Sequence, residues 1–282
     1  MKMLVMNKRI FLLFIVTAFV LMGANAAKVV KILAIGNSFS EDAIEQNLHE
    51  LADADGVKTI IANLYIPGCS LEHHMKCVNE DLKSYRYRKI GVDGKMQQID
   101  KEQVSKALAD EEWDYVSVQQ ASHFSGVYDT YQPYLKELVA YVKTHTSPKT
   151  KIVFHQTWAY SNDSKHDGFV KYGNNQLIMY NCILDATRKV IHDCHPDILV
   201  PAGTAIQNAR TSYIGDRMNR DGYHLNLTYG RYTAACTWYQ AIFKKSVVGN
   251  KYLPMGMTEA ERTVAQKSAR AAVKHPFVIT KI

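Results

Sequence analysis

Lys31-Ile-Leu-Ala-Ile-Gly36-Asn37-Ser38-Phe39-Ser40 is an apolar run that ends in a glycine and a serine, and a helical pattern follows at once. That reads as a strand, a sharp turn and a helix. A serine at such a turn stands at the carboxyl end of the first strand, beside N–H groups of a helix N-terminus. In open α/β sheets ligands bind in this crevice, and the helix end favours negative charge. Ser38 has a second reading. Ser38-Phe-Ser-Glu41 fits a capping box, with serine at the N-cap and glutamate three residues on. Ser40 fits the N-cap as well.

Working outward, Val29 to Ile35 is the first strand, and Ala43, Leu48, Leu51 and Ala52 stripe the helix after it. Thr59 to Ile66 is β-branched and apolar and runs into Pro67-Gly68. Tyr115-Val-Ser-Val118-Gln119, Lys151-Ile-Val-Phe154-His155 and Ile198-Leu-Val200 are three further strands, with helical spacing between them at Leu135, Leu138, Val139 and Val142 and from Leu177 to Ile191. A helix is expected from about Leu227 to Phe243, and Thr258-x-x-Glu261 caps a last one. Five short strands alternating with helices give an α/β fold: a three-layer, doubly wound parallel sheet. Successive strand ends then deliver Ser38, Gly68, Gln119 with Gln120, and His155 to one edge.

Residues 84 to 100 differ in kind. Tyr85-Arg-Tyr87-Arg alternates, and Asp93-Gly94 is a hairpin signal. A small β-hairpin is expected beside the main sheet, its tyrosines either packed or forming an aromatic rim.

Lys2, Lys8 and Arg9, the apolar run Ile10 to Met22 and Ala24-Asn25-Ala26 form a secretory leader with cleavage after Ala26. Residues 27–282 are then a single exported domain, secreted or periplasmic, with no stable membrane anchor. The formal net charge is +7, and loss of the three leader cations leaves about +4. No dense basic block with interleaved aromatics occurs, which argues against nucleic acid. Cys69 with Cys77 is a candidate disulfide, but the five cysteines are too few and too odd for a disulfide framework.

Asp221-Gly-Tyr-His224 carries a carboxylate and an imidazole three residues apart, a spacing that lets Asp hold Nδ1–H while Nε2 faces outward as a base. A serine hydroxyl needs such a base to become a nucleophile. The bland alternative is a polar turn before a helix. G-x-S-x-G is absent, which disfavours an α/β-hydrolase elbow. Cys69, His73, His74 and Cys77 match none of the usual zinc spacings, so no metal is expected.

Gly36-Asn37-Ser38-Phe39-Ser40 resembles the first block of the SGNH (GDSL-like) hydrolases, and Asp221-Gly-Tyr-His224-Leu resembles their last block. Pro67-Gly68-Cys69-Ser70-Leu71 sits where that superfamily keeps its glycine block. The pattern looks most like a Bacteroidetes-type branch with a G-N-S-F-S first block. The resemblance implies a flavodoxin-like fold, with Ser38 as nucleophile, His224 as base, Asp221 as orienting carboxylate, and the N–H groups of Ser38 and Gly68 in an oxyanion hole. The superfamily's G-x-N-D block is missing. Gln119-Gln120 stands there instead, so one of these glutamines is expected as the third oxyanion donor. Asn37, His74 and Trp158 are candidate substrate contacts, and Tyr160 adds a second loop aromatic. The implied activity is a secreted serine esterase without cofactor, acting on a small-molecule or glycan ester, foremost a carbohydrate O-acetyl ester. A lipase or thioesterase and a non-catalytic glycan-binding module are the alternatives on the same fold. A hydrolase using metal on His73 and His74 is a more distant one.

Overall fold

The structure, a computed structural model, describes residues 28–282. The expected leader lies outside the described residues. Strand β1 (Val30–Gly36) is central. It pairs in parallel with β2 (Thr59–Tyr65) on one side, from Val30 opposite Thr59 to Gly36 opposite Tyr65. Between them run two short helices, α1 (Ser38–Ile44) and α2 (Leu48–Ala54), where one was expected. The break is at Asn47, whose φ of 70° leaves the helical region.

Helix α3 (Leu71–Asn79) follows β2, and then comes the hairpin β3 (Tyr85–Ile90) and β4 (Met96–Glu102). The hairpin does not stand beside the sheet. β3 pairs antiparallel with β2, so the hairpin extends the sheet to seven strands. Alternation explains why. Tyr85 and Tyr87 are buried on one face, and Arg88 lies over the Tyr65 ring at 4.1 Å on the other. The tyrosines are core and form no rim.

Helix α4 (Val104–Ala109) leads to β5 (Tyr115–Val118), which pairs in parallel with the far side of β1. Then come α5 (Tyr134–His145), β6 (Lys151–His155), α6 (Gln176–Cys194) and β7 (Ile198–Val200). The sheet order is β4-β3-β2-β1-β5-β6-β7, and its five parallel strands form the doubly wound sheet. The chain steps from β1 to β2 on one side and returns to β5 on the other. The crevice above β1 and β5 is therefore the topological switch point.

Three helices close the chain: α7 (Ala202–Arg210), α8 (Tyr229–Phe243) and α9 (Glu259–Lys274). α9 begins with the expected Thr258–Glu261 capping box. α7 was not expected: in the sequence the strand Ile198–Val200 ends at Pro201 and Gly203, residues typical of turns. Two cores sandwich the sheet. Ile32 and Ala34 pack with α1, α2, α7, α8 and α9, and Leu33 and Ile35 pack with α3, α4 and α5. α6 contributes to both. All five cysteines are free thiols, so Cys69 and Cys77 are not joined. Among the described residues no helix is long and apolar enough to cross a membrane.

Candidate active site

The turn from β1 into α1 is tight because residue 36 has no side chain. A Cβ on Gly36 would stand 2.8 Å from Ser40 Cβ. Asn37, not Ser38, is the N-cap: its Oδ1 accepts the Phe39 N–H at 3.0 Å. Ser40 is turned inward, with Oγ 2.7 Å from the Asn37 carbonyl and 2.9 Å from Asn63 Oδ1. The capping box expected at Ser38 therefore does not form. Ser38 is the first helical residue, its hydroxyl takes no part in capping, and its N–H belongs to the turn that leaves such groups without helical partners.

Ser38 Oγ lies 2.8 Å from His224 Nε2, across 186 residues of chain. His224 Nδ1 lies 2.6 Å from Asp221 Oδ2. A carboxylate only accepts, so the imidazole proton is on Nδ1 and the bare Nε2 accepts from the serine hydroxyl. Asp221 is fixed by its own loop, since Oδ1 accepts the backbone N–H groups of His224 at 2.7 Å and Tyr223 at 3.2 Å. Burial pushes the Asp221 carboxyl up, but the hydrogen bonds from His224 and these two N–H groups outweigh it and hold the group below its ordinary range. Gly222 makes the loop possible. Its φ is 91°, and a Cβ there would stand 2.7 Å from Ser164 Cα.

Asp42, which the sequence did not single out, couples the two halves. It stands one helical turn beyond Ser38 on α1 and is wholly buried. It accepts from Leu225 N–H at 2.7 Å, from Arg220 at 3.1 Å and from Arg231 Nε at 2.8 Å. Arg220 N–H in turn donates to the His224 carbonyl at 2.9 Å. The helix presenting the serine thus also grips the loop presenting the histidine. The available signal was an acid one helical turn after Ser38, flanked by Glu41 and Glu45.

Gly68 sits exposed in the turn after β2 with φ 60°. Asn37 Nδ2 donates to the neighbouring Cys69 carbonyl at 3.0 Å and ties this turn to the serine turn. Asn37 is buried, and its role is to brace the backbone; it does not contact a substrate from the surface. The two glutamines are buried as well. Gln120 Oε1 accepts from Leu71 N–H at 3.0 Å and Ala121 N–H at 2.8 Å, so its amide N–H groups point the other way, to Thr130. Gln120 is therefore not placed as an oxyanion donor. Gln119 Nε2 donates to Asn37 Oδ1 at 2.9 Å, and its carbonyl faces His155 Nδ1 at 2.6 Å. It reaches the crevice only through Asn37.

His74 is buried, with Nδ1 2.8 Å from the Tyr85 hydroxyl, and burial pushes its pKa down to about 3. Trp158 is also buried. It stacks on Phe39 at 4.2 Å and donates to the Tyr223 carbonyl at 2.8 Å. Tyr160 is buried too. None of the three lines the open site. Among the described residues no group of three or more His, Cys, Asp or Glu is arranged to hold a metal.

Polar clefts adjoin Asp221. One of about 300 Å³ is lined by Lys165, His166, Asp167, Asp221 and Tyr223. Another of about 500 Å³ includes Asp163, Asp216, Asn219, Arg220 and Asn226. Ser161 N–H donates to the Gly222 carbonyl at 2.9 Å, while its hydroxyl donates to Asp163 Oδ1 at 2.6 Å, and the backbone bond ties the 161–174 segment to the histidine loop.

The family model described as "Domain of unknown function (DUF4886)" matches residues 31–272. A DUF4886 family protein from Bacteroides uniformis, seen in a crystal structure, superposes with a TM-score of 0.89 at 49% identity, over 90% of this chain and 98% of that one. A proposed SGNH hydrolase from Slackia heliotrinireducens superposes with a TM-score of 0.53 at 19% identity, over 76% of this chain and 100% of that one, a likeness of fold. No curated protein matches the chain.

Proposed function

The chain belongs to the DUF4886 family, and we propose that it is an exported SGNH-type serine hydrolase that cleaves carboxylic esters, foremost O-acetyl esters of carbohydrates. One observation carries the reading: the unbroken relay from Ser38 Oγ to His224 Nε2 at 2.8 Å and from Nδ1 to Asp221 Oδ2 at 2.6 Å. Ser38 Oγ attacks the ester carbonyl while His224 takes its proton. The oxyanion forms against the Ser38 and Gly68 N–H groups. As the tetrahedral species collapses, His224 gives the proton to the leaving alcohol. Water then attacks the acyl-serine, with His224 again as base, and releases the acid. Asp221 holds the imidazole in the required tautomer. The reaction so written needs neither metal nor organic cofactor, so a chelator is expected to leave it unchanged.

The polar clefts beside Asp221 support a hydrophilic alcohol, and the short acyl group follows from the resemblance. A lipase or thioesterase would need an apolar tunnel for the acyl chain, whereas Lys, Asp, His and Asn side chains line the clefts at Asp221. Hydrolysis of nitrophenyl acetate, butyrate and octanoate by wild type and Ser38→Ala tests the reading. Turnover is expected to fall with chain length and to drop at least ~10⁴-fold in the variant. Undiminished turnover by Ser38→Ala, or a folded wild type inert to all three esters and to a fluorophosphonate, would sink it. Export follows from the leader reading, and the N-terminal residue of the mature protein checks it: Ala27 is expected.

A further inference from the structure

Beside His224 runs a set of rings that the relay does not use. The Tyr223 ring lies 4.1 Å from the His224 ring, His166 meets Tyr223 edge-on at 4.9 Å, and His123 stacks on His166 at 5.7 Å. All three are half-buried, whereas Tyr160 beneath them is wholly buried, 5.0 Å from His166 and 5.7 Å from Tyr223. The ledge is thus braced from below and open above. It is also fixed from behind. The Tyr223 carbonyl accepts from Trp158 Nε1 at 2.8 Å and Asn219 Nδ2 at 2.9 Å.

Two of these rings keep an unused polar atom. The Tyr223 hydroxyl makes no hydrogen bond among the described residues. His166 Nδ1 accepts the Gly168 N–H at 3.0 Å, which puts the imidazole proton on Nε2, facing away from that bond. Burial lowers the pKa of both His123 and His166, so at neutral pH the ledge presents ring faces and hydrogen-bonding groups without added positive charge. Asp163 and Asp167 flank Lys165 at the rim of the adjoining clefts.

Position gives the ledge its meaning. His224 must hand its proton to the leaving oxygen, so the alcohol lies against the imidazole and extends over whatever flanks it. Of the two rings beside the imidazole, Phe39 is buried and Tyr223 is half-buried, so Tyr223 is the one an alcohol can reach. We propose that Tyr223, His166 and His123 form the subsite for the alcohol part of the ester, and that this alcohol is an uncharged sugar ring. A pyranose stacks its C–H face on aromatic rings while its hydroxyls bond the Tyr223 hydroxyl and His166 Nε2–H. A plain alkyl chain would leave those groups unpaired, which costs affinity. This assignment rests on the esterase reading and deepens it.

Acetyl transfer tests it without knowing which hydroxyl is esterified in nature. Vinyl acetate acylates Ser38 and releases vinyl alcohol, which becomes acetaldehyde. The acetyl-serine then passes its acyl group either to water, giving acetate, or to an added alcohol, whose proton goes to His224. By microscopic reversibility the acceptor occupies the leaving-alcohol subsite. Acetaldehyde release reads the esterase step separately, and acetylated acceptor is counted by mass spectrometry. Wild type is expected to favour glucose over ethanol at least ~10-fold per mole of acceptor. Tyr223→Ala and His166→Ala should bring that ratio close to one, and Tyr223→Phe, which keeps the ring, should stay between them. The ratio is internal to each variant, so it survives a partial loss of acylation. Tyr223→Phe and His166→Gln serve if the alanine variants fail to fold. Equal transfer to glucose and ethanol by wild type overturns the subsite. So does an unchanged ratio in the folded variants, and preference for glucuronate over glucose overturns the uncharged class. Absence of acetaldehyde release overturns the esterase reading and the subsite with it.

Discussion

Two rows of polar side chains leave the carboxyl edge of the sheet, and they do opposite things. The side chains of Ser38, His224 and Asp221 are hydrogen-bonded in series, and open clefts adjoin Asp221. Gln119, Gln120 and His155, at the ends of β5 and β6, are each 1% exposed; Gln120 ends its hydrogen bonds on backbone and Thr130, Gln119 on Asn37 and His155, and His155 Nδ1 on Gln119. The first row is arranged to react and the second to hold. A polar residue at a strand's carboxyl end is therefore a site candidate only if its free valence faces solvent. If it faces another buried donor or acceptor, it is scaffold, costly to lose for stability before it is costly for rate.

The sharpest way to break this contrast is Asp221→Asn. The amide would offer N–H groups to His224 Nδ1 and favour the wrong tautomer, leaving Nε2 protonated and unable to accept from Ser38. Ester turnover is expected to fall about 10⁴-fold with a melting temperature near that of wild type, because the side chain is 40% exposed. A mild rate loss with large destabilisation would move Asp221 into the holding row.

Asp42→Asn crosses the two rows. It leaves Arg220 and the buried Arg231 without their carboxylate, and breaking a buried pair costs about 3–5 kcal/mol. The 219–225 loop also loses its anchor on α1. A displacement of the base by an ångström is worth about 100-fold in rate. Both losses should appear together, in denaturant midpoint and in kcat, with KM less affected. A loss of stability with full kcat in the folded fraction would show that the loop holds His224 without Asp42.

The two glutamines sharpen the contrast further. Gln119→Leu strips Asn37 Oδ1 and His155 Nδ1 of a partner and should cost about 1–3 kcal/mol, with a loss in kcat of roughly tenfold passed through Asn37 to the Gly68 turn, a tenth or less of what a direct oxyanion donor carries. Gln120→Leu should cost similar stability and leave kcat within a few-fold. A loss of a hundred-fold or more in Gln120→Leu without destabilisation would make it the direct donor after all.

These assignments also mark what was legible in the sequence. The β1 turn and the D-x-x-H loop were readable because their chemistry is local: a glycine, a serine and a carboxylate three residues before an imidazole. The five parallel strands were readable from apolar runs. The Asp42–Arg231 contact spans 189 residues, and nothing in the apolar α8 pattern announces that its arginine turns inward. Trp158 and Tyr160 misled because polar neighbours made 156–161 look like a surface loop, whereas the whole segment is buried. α7 was missed because Pro201 and Gly203 are turn residues by type. At Gly203 the missing side chain instead lets the first turn of α7 pack on the Thr157 carbonyl. The hairpin's existence was legible from Asp93-Gly94, but its pairing with β2 depends on which face the tyrosines bury.

The smallest expected effect on rate belongs wholly to the holding row. Burial pushes His155 and His74 down to about 3, against about 6.5 in an unfolded chain. Between those values the unfolded chain binds protons that the folded one does not, so stability falls as pH drops from 6.5 toward 3, and above 6.5 these groups contribute no slope. By pH 5 each histidine should cost about 2 kcal/mol, in a window where the ordinary carboxylates are still ionised. Denaturant midpoints taken from pH 7.5 to 5 should therefore fall in wild type, and fall less steeply in His155→Gln, which carries no titrating group there. If the slope is unchanged in His155→Gln, His155 is not held neutral, and the division between the two rows fails at the residue where the structure draws it most firmly.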